Sequence, residues 1–354
     1  MGVSGFFTFF NDIVKTTSLK KAKGKWIVID ANLLLYKYII GIRKGGEDII
    51  TSNGYNVSHI YVIGRFITIL LKRGIQSIWV FDGKEINKDK IKTIKERQRK
   101  REITEKICKL MKERGETETE TYRRNFKNSF HMTSTIIKES KLLLKLMGIP
   151  YITSLGEADP QCAGIAIEQQ SKIFGVYTED SDIIVFGAPR IIKNINWKDN
   201  TVSKIDLNDI LESLKRRSEN IRKKNNLKYI KFKFENFIDF MSILGNDYCE
   251  GIKSIDRREL FEIFCICNYN IPKLYIKMKD INKNIPEQLN WEGSSNYYKH
   301  ANINEPSNID LKMLIPQIND LISFLNLKGI EERFIKDLSN NINNAYYLYK
   351  NIIE

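Results

Sequence analysis

Seven acidic residues stand directly beside apolar segments: Asp30, Asp82, Glu157, Asp159, Asp180, Asp182 and Asp247. Asp30 closes the run Trp-Ile-Val-Ile-Asp, and Asp82 closes Ser-Ile-Trp-Val-Phe-Asp. Asp180 and Asp182 follow Phe-Gly-Val-Tyr-Thr-Glu with one residue between them, so both side chains can reach one side of the chain. Glu157 and Asp159 repeat that spacing at a helix entrance. Gathering carboxylates costs heavily through mutual repulsion unless cations neutralise them. Oxygen-only donors suit Mg²⁺ or Mn²⁺. A pair of such ions about 3.5–4 Å apart is a common apparatus for phosphodiester hydrolysis. Each carboxylate taken alone has a plainer reading, as a turn former or a helix N-cap. Ser154-Leu-Gly-Glu157 fits a capping box, and Asp159-Pro160 fits an N-cap with proline at the first helical position. Seven at corresponding places of one sheet favour the metal site.

The elements that must position them follow from patterning. Short apolar runs predict strands over 26–30, 77–82, 149–153, 174–180 and 190–195. Helical spacing predicts helices over 58–73, 136–147 and 161–170, alternating with the strands. That alternation predicts an α/β fold: a mostly parallel central sheet with helices on both faces. In such sheets the active site lies off the carboxyl ends of the strands, where these carboxylates fall. About residues 84–131 the pattern breaks. Lys88 to Arg101 carries eight Lys or Arg against Asp89 and Glu96. This predicts a charged helical insertion standing on the sheet, either a solvated face or a nucleic-acid contact. A second basic stretch, Lys215 to Lys233, holds nine Lys or Arg and one Glu and is expected to contain a mobile loop. From Phe234 onward the chain reads as mostly helical, with no separate linker.

Composition narrows the function. The chain has 354 residues, 57 Lys+Arg against 43 Asp+Glu and a formal charge of +14. With 42% hydrophobic residues it can bury a core, which excludes wholesale disorder. No apolar run is long enough for a membrane span, and the start, Met-Gly-Val-Ser-Gly-Phe, lacks the pattern of a secretion signal. Phe6 also rules out a myristoylation signal. Five irregularly spaced cysteines do not form a disulfide framework, and Cys265-x-Cys267 with three histidines does not make a zinc site. An intracellular basic protein with a polyanionic partner, nucleic acid first, is expected.

The motifs together resemble a known family. Met-Gly-Val-Ser-Gly at the start, Ile29-Asp-Ala31, Val80-Phe-Asp-Gly-Lys84 and Leu146-Met-Gly-Ile-Pro-Tyr151 are similar to the flap endonucleases, the XPG-type structure-specific 5′ nucleases of replication and repair. So are Gly156-Glu-Ala-Asp-Pro-Gln-Cys-Ala163, Tyr177-Thr-Glu-Asp-Ser-Asp182 and Leu244-Gly-Asn-Asp-Tyr-Cys-Glu-Gly251. They occur in the family order. Phe324 to Arg333 resembles the family's closing helical segment. The resemblance implies a nuclease core over 1–260, with a cap or arch about 84–131 and a helix–turn–helix DNA clamp about 236–265, and a helical region over 261–354 packed on it. It implies that all seven carboxylates bind two Mg²⁺, for which Mn²⁺ would substitute. Lys90 and Arg97 would grip the scissile phosphate, with Lys88, Lys92 and Arg99 as rivals because the local match can slide. Tyr36 would stack on a base beside that phosphate, against the alternative of an ordinary core tyrosine. Gly2 would lie near the DNA junction, and Lys253, Arg257 and Arg258 would hold the duplex. The implied partner is branched DNA bearing 5′ flaps, nicks or gaps, cut by a monomer in the nucleus or wherever DNA is replicated, with 5′→3′ exonuclease activity besides.

Two departures from the family pattern stand out. Asp159 takes the place of a usual Glu, so a direct metal ligand would become water-mediated. Ser254 and Asp256 take the places of two clamp glycines, which puts the family's K⁺ site and its duplex grip in doubt. The family's C-terminal sliding-clamp peptide is absent; the chain ends Tyr-Tyr-Leu-Tyr-Lys-Asn-Ile-Ile-Glu. The rival functions are a junction resolvase or exonuclease of the same superfamily, an RNA-processing nuclease on the same sheet, and a non-cleaving DNA-binding subunit. A pure binder gains nothing from a cluster that repels phosphate.

Overall fold

The computed structural model describes residues 2–85, 87–280, 285–286 and 289–353. After a short helical turn α1 (Phe6–Phe9) come β1 (Lys15–Ser18), β2 (Trp26–Asp30), α2 (Ala31–Arg43), α3 (Ser58–Leu71) and β3 (Gln76–Phe81). The insertion holds α4 (Ile91–Glu113) and α5 (Glu120–Asn128). Then follow α6 (Ser134–Leu146), β4 (Tyr151–Thr153), α7 (Ala158–Glu168), β5 (Ile173–Tyr177), α8 (Asp182–Val185), β6 (Arg190–Asn196), β7 (Thr201–Asp206) and α9 (Leu207–Lys224). The rest is helical: α10 (Phe234–Leu244), α11 (Arg257–Ile266), α12 (Ile271–Asp280), α13 (Trp291–His300), α14 (Ile318–Leu327) and α15 (Glu332–Ile353). No helix among the described residues is long and apolar enough to cross a membrane.

The sheet has seven strands in the order β1-β7-β6-β5-β2-β3-β4. β2 pairs in parallel with both β3 and β5, and the β3–β4 and β5–β6 pairs are parallel too. The five expected strands form this parallel part. Two further strands, β1 and β7, add an antiparallel margin. Their sequences, Lys-Thr-Thr-Ser and Thr-Val-Ser-Lys-Ile-Asp, are too polar to have stood out as apolar runs.

The central strands are apolar on both faces because helices cover both. Trp26, Val28, Ile78 and Val80 point into one core with α1, α7, α10 and α11. Ile27, Ile29, Trp79 and Phe81 point into the other with α2, α3, α6, α14 and α15. Period-two alternation along each strand thus feeds two separate cores. α1 is held by aromatic contacts, Phe9 with Phe240 at 5.7 Å and with Phe261 at 6.2 Å. All five cysteines are free and buried, so nothing is stapled.

The insertion is a helix pair raised above the strand ends. Only Cys108 of α4 is buried. Its anchor is Arg43, which ends α2, pairs with Asp48 at 3.1 Å and lays its guanidinium 3.8 Å from the centre of the Phe126 ring. A cation held over an aromatic face and away from water is worth about 2 kcal/mol.

The stretch 215–233 holds a largely exposed loop only in its second half, over 225–233. It is helical through Lys224, and Arg222 is buried, donating to the Lys228 and Cys265 carbonyls and to Asn268 Oδ1. Arg217 is likewise engaged, with Asp12 at 3.0 Å. An amphipathic helix explains this: the face carrying Ile210, Leu214 and Ser218 packs inward and takes Arg222 with it. Replacing Arg222 by Met should therefore lower the unfolding free energy by about 2–3 kcal/mol, since buried acceptors lose their donor. Urea unfolding at fixed pH measures this.

Candidate active site

Six of the seven carboxylates line one cavity of about 910 Å³ at the carboxyl ends of the strands: Asp30, Asp82, Glu157, Asp159, Asp180 and Asp247. Asp182 sits just behind Asp180, fully buried, where α8 begins. Local structure fixes each of them. Asp30 ends β2 and caps α2, its Oδ1 accepting from the Leu33 N–H at 3.0 Å, so the N-cap reading holds there alongside its place in the cavity. Asp82 follows β3; its Oδ1 accepts from Ala158 N at 2.8 Å and its Oδ2 from Asn32 Nδ2 at 2.6 Å, tying three segments together. Asp180 Oδ1 accepts from the Asp182 N–H at 3.0 Å.

The capping readings fail at α7. Glu157 occupies the N-cap position without capping, and Ser154 Oγ donates instead to the carbonyls of Phe81 and Gly156. Freed from capping, Glu157 Oε2 accepts from Tyr248 Oη at 2.8 Å and from Lys90 Nζ at 2.5 Å. Lys90 also reaches Asp247 at 3.2 Å, and Arg97 Nη2 donates to Asp247 at 2.7 Å.

Enclosure and crowding dominate the electrostatics. Burial, then repulsion from Asp82, pushes the Asp30 carboxyl up to about 8. Asp82 opens onto the cavity yet is hemmed in by its walls, and that desolvation raises it as well. Asp159, Asp180 and Asp182 are raised, burial being the first cause in each. Lys90 moves the other way from what burial alone would do: the charges on Glu157, Asp159 and Asp247 outweigh desolvation and hold it firmly protonated.

These residues fit a hard divalent cation by their donor chemistry. All are oxygen donors, and Glu157 Oε1, Asp159 Oδ1 and Asp182 Oδ1 are buried with no hydrogen-bond partner. Orphaned carboxylate oxygens in a desolvated site call for positive charge. As they stand, no three His, Cys, Asp or Glu side chains among the described residues converge on one point closely enough to ligate an ion. The Lys90 ammonium fills the gap between Glu157 and Asp247.

The basic insertion roofs this cavity. Lys90, Arg97, Lys100 and Arg101 line it. Lys88 and Arg99 are exposed elsewhere, and Lys92 pairs outside it with Glu250 at 3.3 Å. Arg101 escaped sequence reasoning, although it lies one turn beyond Arg97 on the same helix face. Its guanidinium stands 5.8 Å from the ring centre of Tyr36, itself 5.7 Å from Phe130. Tyr36 is half-buried: it lines the cavity and also packs against the core.

Gly2 lies against Asp180 with φ +84°; a Cβ there would meet Asp180 Oδ1 at 2.2 Å and the Ser181 nitrogen at 2.8 Å. Only glycine allows the chain to pass this close to the cluster. Lys253 is exposed on the turn between α10 and α11, and Arg258 is exposed in the first turn of α11. Arg257 is turned inward: its Nε donates to the Ser4 carbonyl at 3.0 Å. Neither Ser254 nor Asp256 has positive φ. Asp256 instead caps α11 with φ −63° and accepts from the Arg258 N–H at 2.8 Å, a bond that keeps its carboxyl below the usual range. Neither position needs the backbone freedom of glycine.

A model of the XPG N-terminal domain matches residues 1–104, and one of the XPG I-region matches residues 148–247. Together they take in more than half of the sequence. The chain belongs to the XPG nuclease family. Flap endonuclease 1 of Drosophila mojavensis is 29% identical over 334 residues, covering 92% of this chain and 80% of the relative. The catalytic core of Rad2 in complex with DNA substrate superposes with a TM-score of 0.67 at 23% identity, over 96% of this chain and 100% of that one. Flap endonuclease-1 from Methanococcus jannaschii gives a TM-score of 0.65 at 22% identity, over 96% and 98%. The XPG models leave out residues 105–147 and everything after Asp247, hence α13.

The raised carboxyls carry a sign for stability. A carboxyl whose folded pKa exceeds its unfolded value keeps its proton longer in the folded state, so stability falls as pH rises between the two. For Asp30 that window runs from 3.8 to about 8. Without divalent cations this XPG protein should melt at a lower temperature at pH 8 than at pH 6. Adding Mg²⁺ should raise the midpoint more at pH 8. Thermal unfolding in EDTA and in Mg²⁺ at both pH values checks it.

Proposed function

We propose that the chain is a structure-specific 5′ nuclease that cuts DNA flaps by divalent-metal hydrolysis, with 5′→3′ exonuclease activity, in replication and repair. One observation carries this reading: carboxylates from five separated segments share a cavity with Lys90 and Arg97 under a basic helix. Such a cavity takes a phosphodiester and repels it unless cations intervene. The names of the relatives agree, flap endonuclease 1 in one case and the catalytic core of Rad2 in complex with DNA substrate in the other.

Asp30, Asp82, Glu157, Asp159, Asp180, Asp182 and Asp247 would hold two Mg²⁺, or Mn²⁺ in their place, which supply an activated water and neutralise charge on the phosphate and leaving oxygen. The side chains of the chain itself do the rest. Lys90 and Arg97, tethered now to Glu157 and Asp247, lie within reach of an incoming phosphate and orient it. Tyr36, with Arg101 above it, offers a face on which a base stacks. Lys253 and Arg258 meet the duplex, while Arg257 keeps α11 registered against the N-terminal segment. The capping role of Asp256 leaves the turn without the close backbone approach that two glycines allow, so the duplex grip rests more on side chains. The enzyme acts as a monomer, in the nucleus or wherever DNA is replicated.

Cleavage of 5′-labelled flap, nicked, gapped and four-way DNA, with matching RNA flaps, tests the reading. EDTA should abolish it. Asp180→Asn should slow single-turnover cleavage by on the order of 10³-fold, several kcal/mol of lost charge stabilisation, with DNA binding retained. Near-wild-type cutting by that variant would end the metal assignment. Arg97→Glu should also cripple single-turnover cleavage while duplex affinity stays nearly intact; equal losses in both would make Arg97 a general DNA contact.

A further inference from the structure

Beneath the carboxylates lie three tyrosines. Tyr248 follows Asp247 directly, and Tyr297 and Tyr298 come from α13. The ring centre of Tyr248 lies 4.7 Å from that of Tyr297 and 5.8 Å from that of Tyr298. Tyr298 is 4% exposed and packs at 4.8 Å on Phe186, whose N–H donates to the carbonyl of Asp182 one helical turn earlier. The phenol therefore lies along the turn that carries Asp182. Its hydroxyl has no hydrogen-bond partner among the described residues, and neither has Asp182 Oδ1.

α13 is fastened where it must be for this. Asn246 Nδ2 donates to Ser294 Oγ at 2.9 Å, Ser295 Oγ to Asp239 at 2.6 Å, and Lys299 Nζ to Asp239 at 3.1 Å. These bonds join α13 to α10 and to the loop bearing Asp247.

We propose that Tyr298 and Tyr248 are positioning residues whose phenol hydroxyls orient the Asp182 and Glu157 carboxylates as metal ligands. The inference rests on reading those carboxylates as metal-binding. Tyr248 makes its bond already, to Glu157 Oε2 at 2.8 Å, leaving Oε1 free for a cation. Tyr298 has one O–H to donate, and of the carboxylates around it Asp182 is the largest charge raising its phenol beyond the effect of burial. A carboxylate held through one oxygen presents the other in a fixed direction, and outer partners of this kind set metal affinity. The metal-binding half of the molecule is in this way completed by a helix outside both XPG models.

The test compares wild type with Tyr298→Phe and Tyr248→Phe, each losing a hydroxyl and keeping its ring. Tyr275→Phe is the control, a partnerless buried hydroxyl on α12. Free Mn²⁺ is counted by electron paramagnetic resonance during titration without DNA. Flap cleavage is measured across Mn²⁺ concentrations, and melting is recorded in EDTA. Both active-site variants should bind Mn²⁺ about 10–100-fold more weakly, need correspondingly more for half-maximal cleavage, and approach the wild-type rate when saturated. Metal-free melting of Tyr298→Phe, whose hydroxyl has no partner, and every property of the control should match wild type, while Tyr248→Phe, which loses its bond to Glu157, should melt only slightly lower. Unchanged Mn²⁺ affinity in both variants overturns the inference, as does a loss confined to melting or to the saturated rate. If the wild type itself binds no Mn²⁺, the metal reading falls and takes the inference with it; binding by the wild type with unaltered variants sinks the inference alone.

Discussion

Everything in this molecule is arranged around carboxylates that repel one another in a poorly hydrated place. Five elements bring them there, and no one element supplies more than two. Their mutual repulsion would push the segments apart if backbone N–H groups did not grip them first. The Leu33, Ala158 and Asp182 amides do so, each at the start of a helix that faces the cavity with its amino end. Lys90 and Arg97 supply the remaining positive charge from the insertion. The roof and the floor of the cavity are thus held together by opposite charge, and both are exposed to the same incoming phosphate.

This constraint explains features that are otherwise unrelated. Gly2 has to be small because the N-terminal segment passes over Asp180 with no room for a side chain. Val3 N–H donates to Ser181 Oγ at 2.8 Å and Ser4 N–H to the Gly245 carbonyl at 2.7 Å, so that segment spans the gap between the α8 and α10 ends. Arg257 adds a third tie from α11. A chain end that would ordinarily fray is stitched to the loops bearing Asp180 and Asp247.

Much of this was legible because strand ends announce themselves. An apolar run stopped by Asp is a local pattern, and β2 begins and ends where that pattern does. The parallel order followed from alternation with helices. β1 and β7 were not legible, since an antiparallel edge tolerates polar sequence on its outer face. Arg257 was expected on the duplex because a motif records charge without direction; only the fold shows that its guanidinium, like that of Arg222, turns inward to carbonyls. Asp256 read only as the loss of a clamp glycine, but a short acidic side chain finds its role there as a helix cap. Tyr298 carried no signal at all: a tyrosine in a helix of mixed character, about 116 residues from Asp182, meets it only through tertiary packing.

The insertion is joined to the body chiefly at its base, through Arg43 against Phe126 and Phe130, while α4 runs on with a single buried side chain. Cooperativity has little to act on along such a helix. The pair α4–α5 is therefore expected to open separately, losing its structure while the sheet and both cores stay intact. Amide protons along α4 would exchange with solvent long before those of β2, and a protease would cut there first, leaving a nicked molecule whose sheet is still folded.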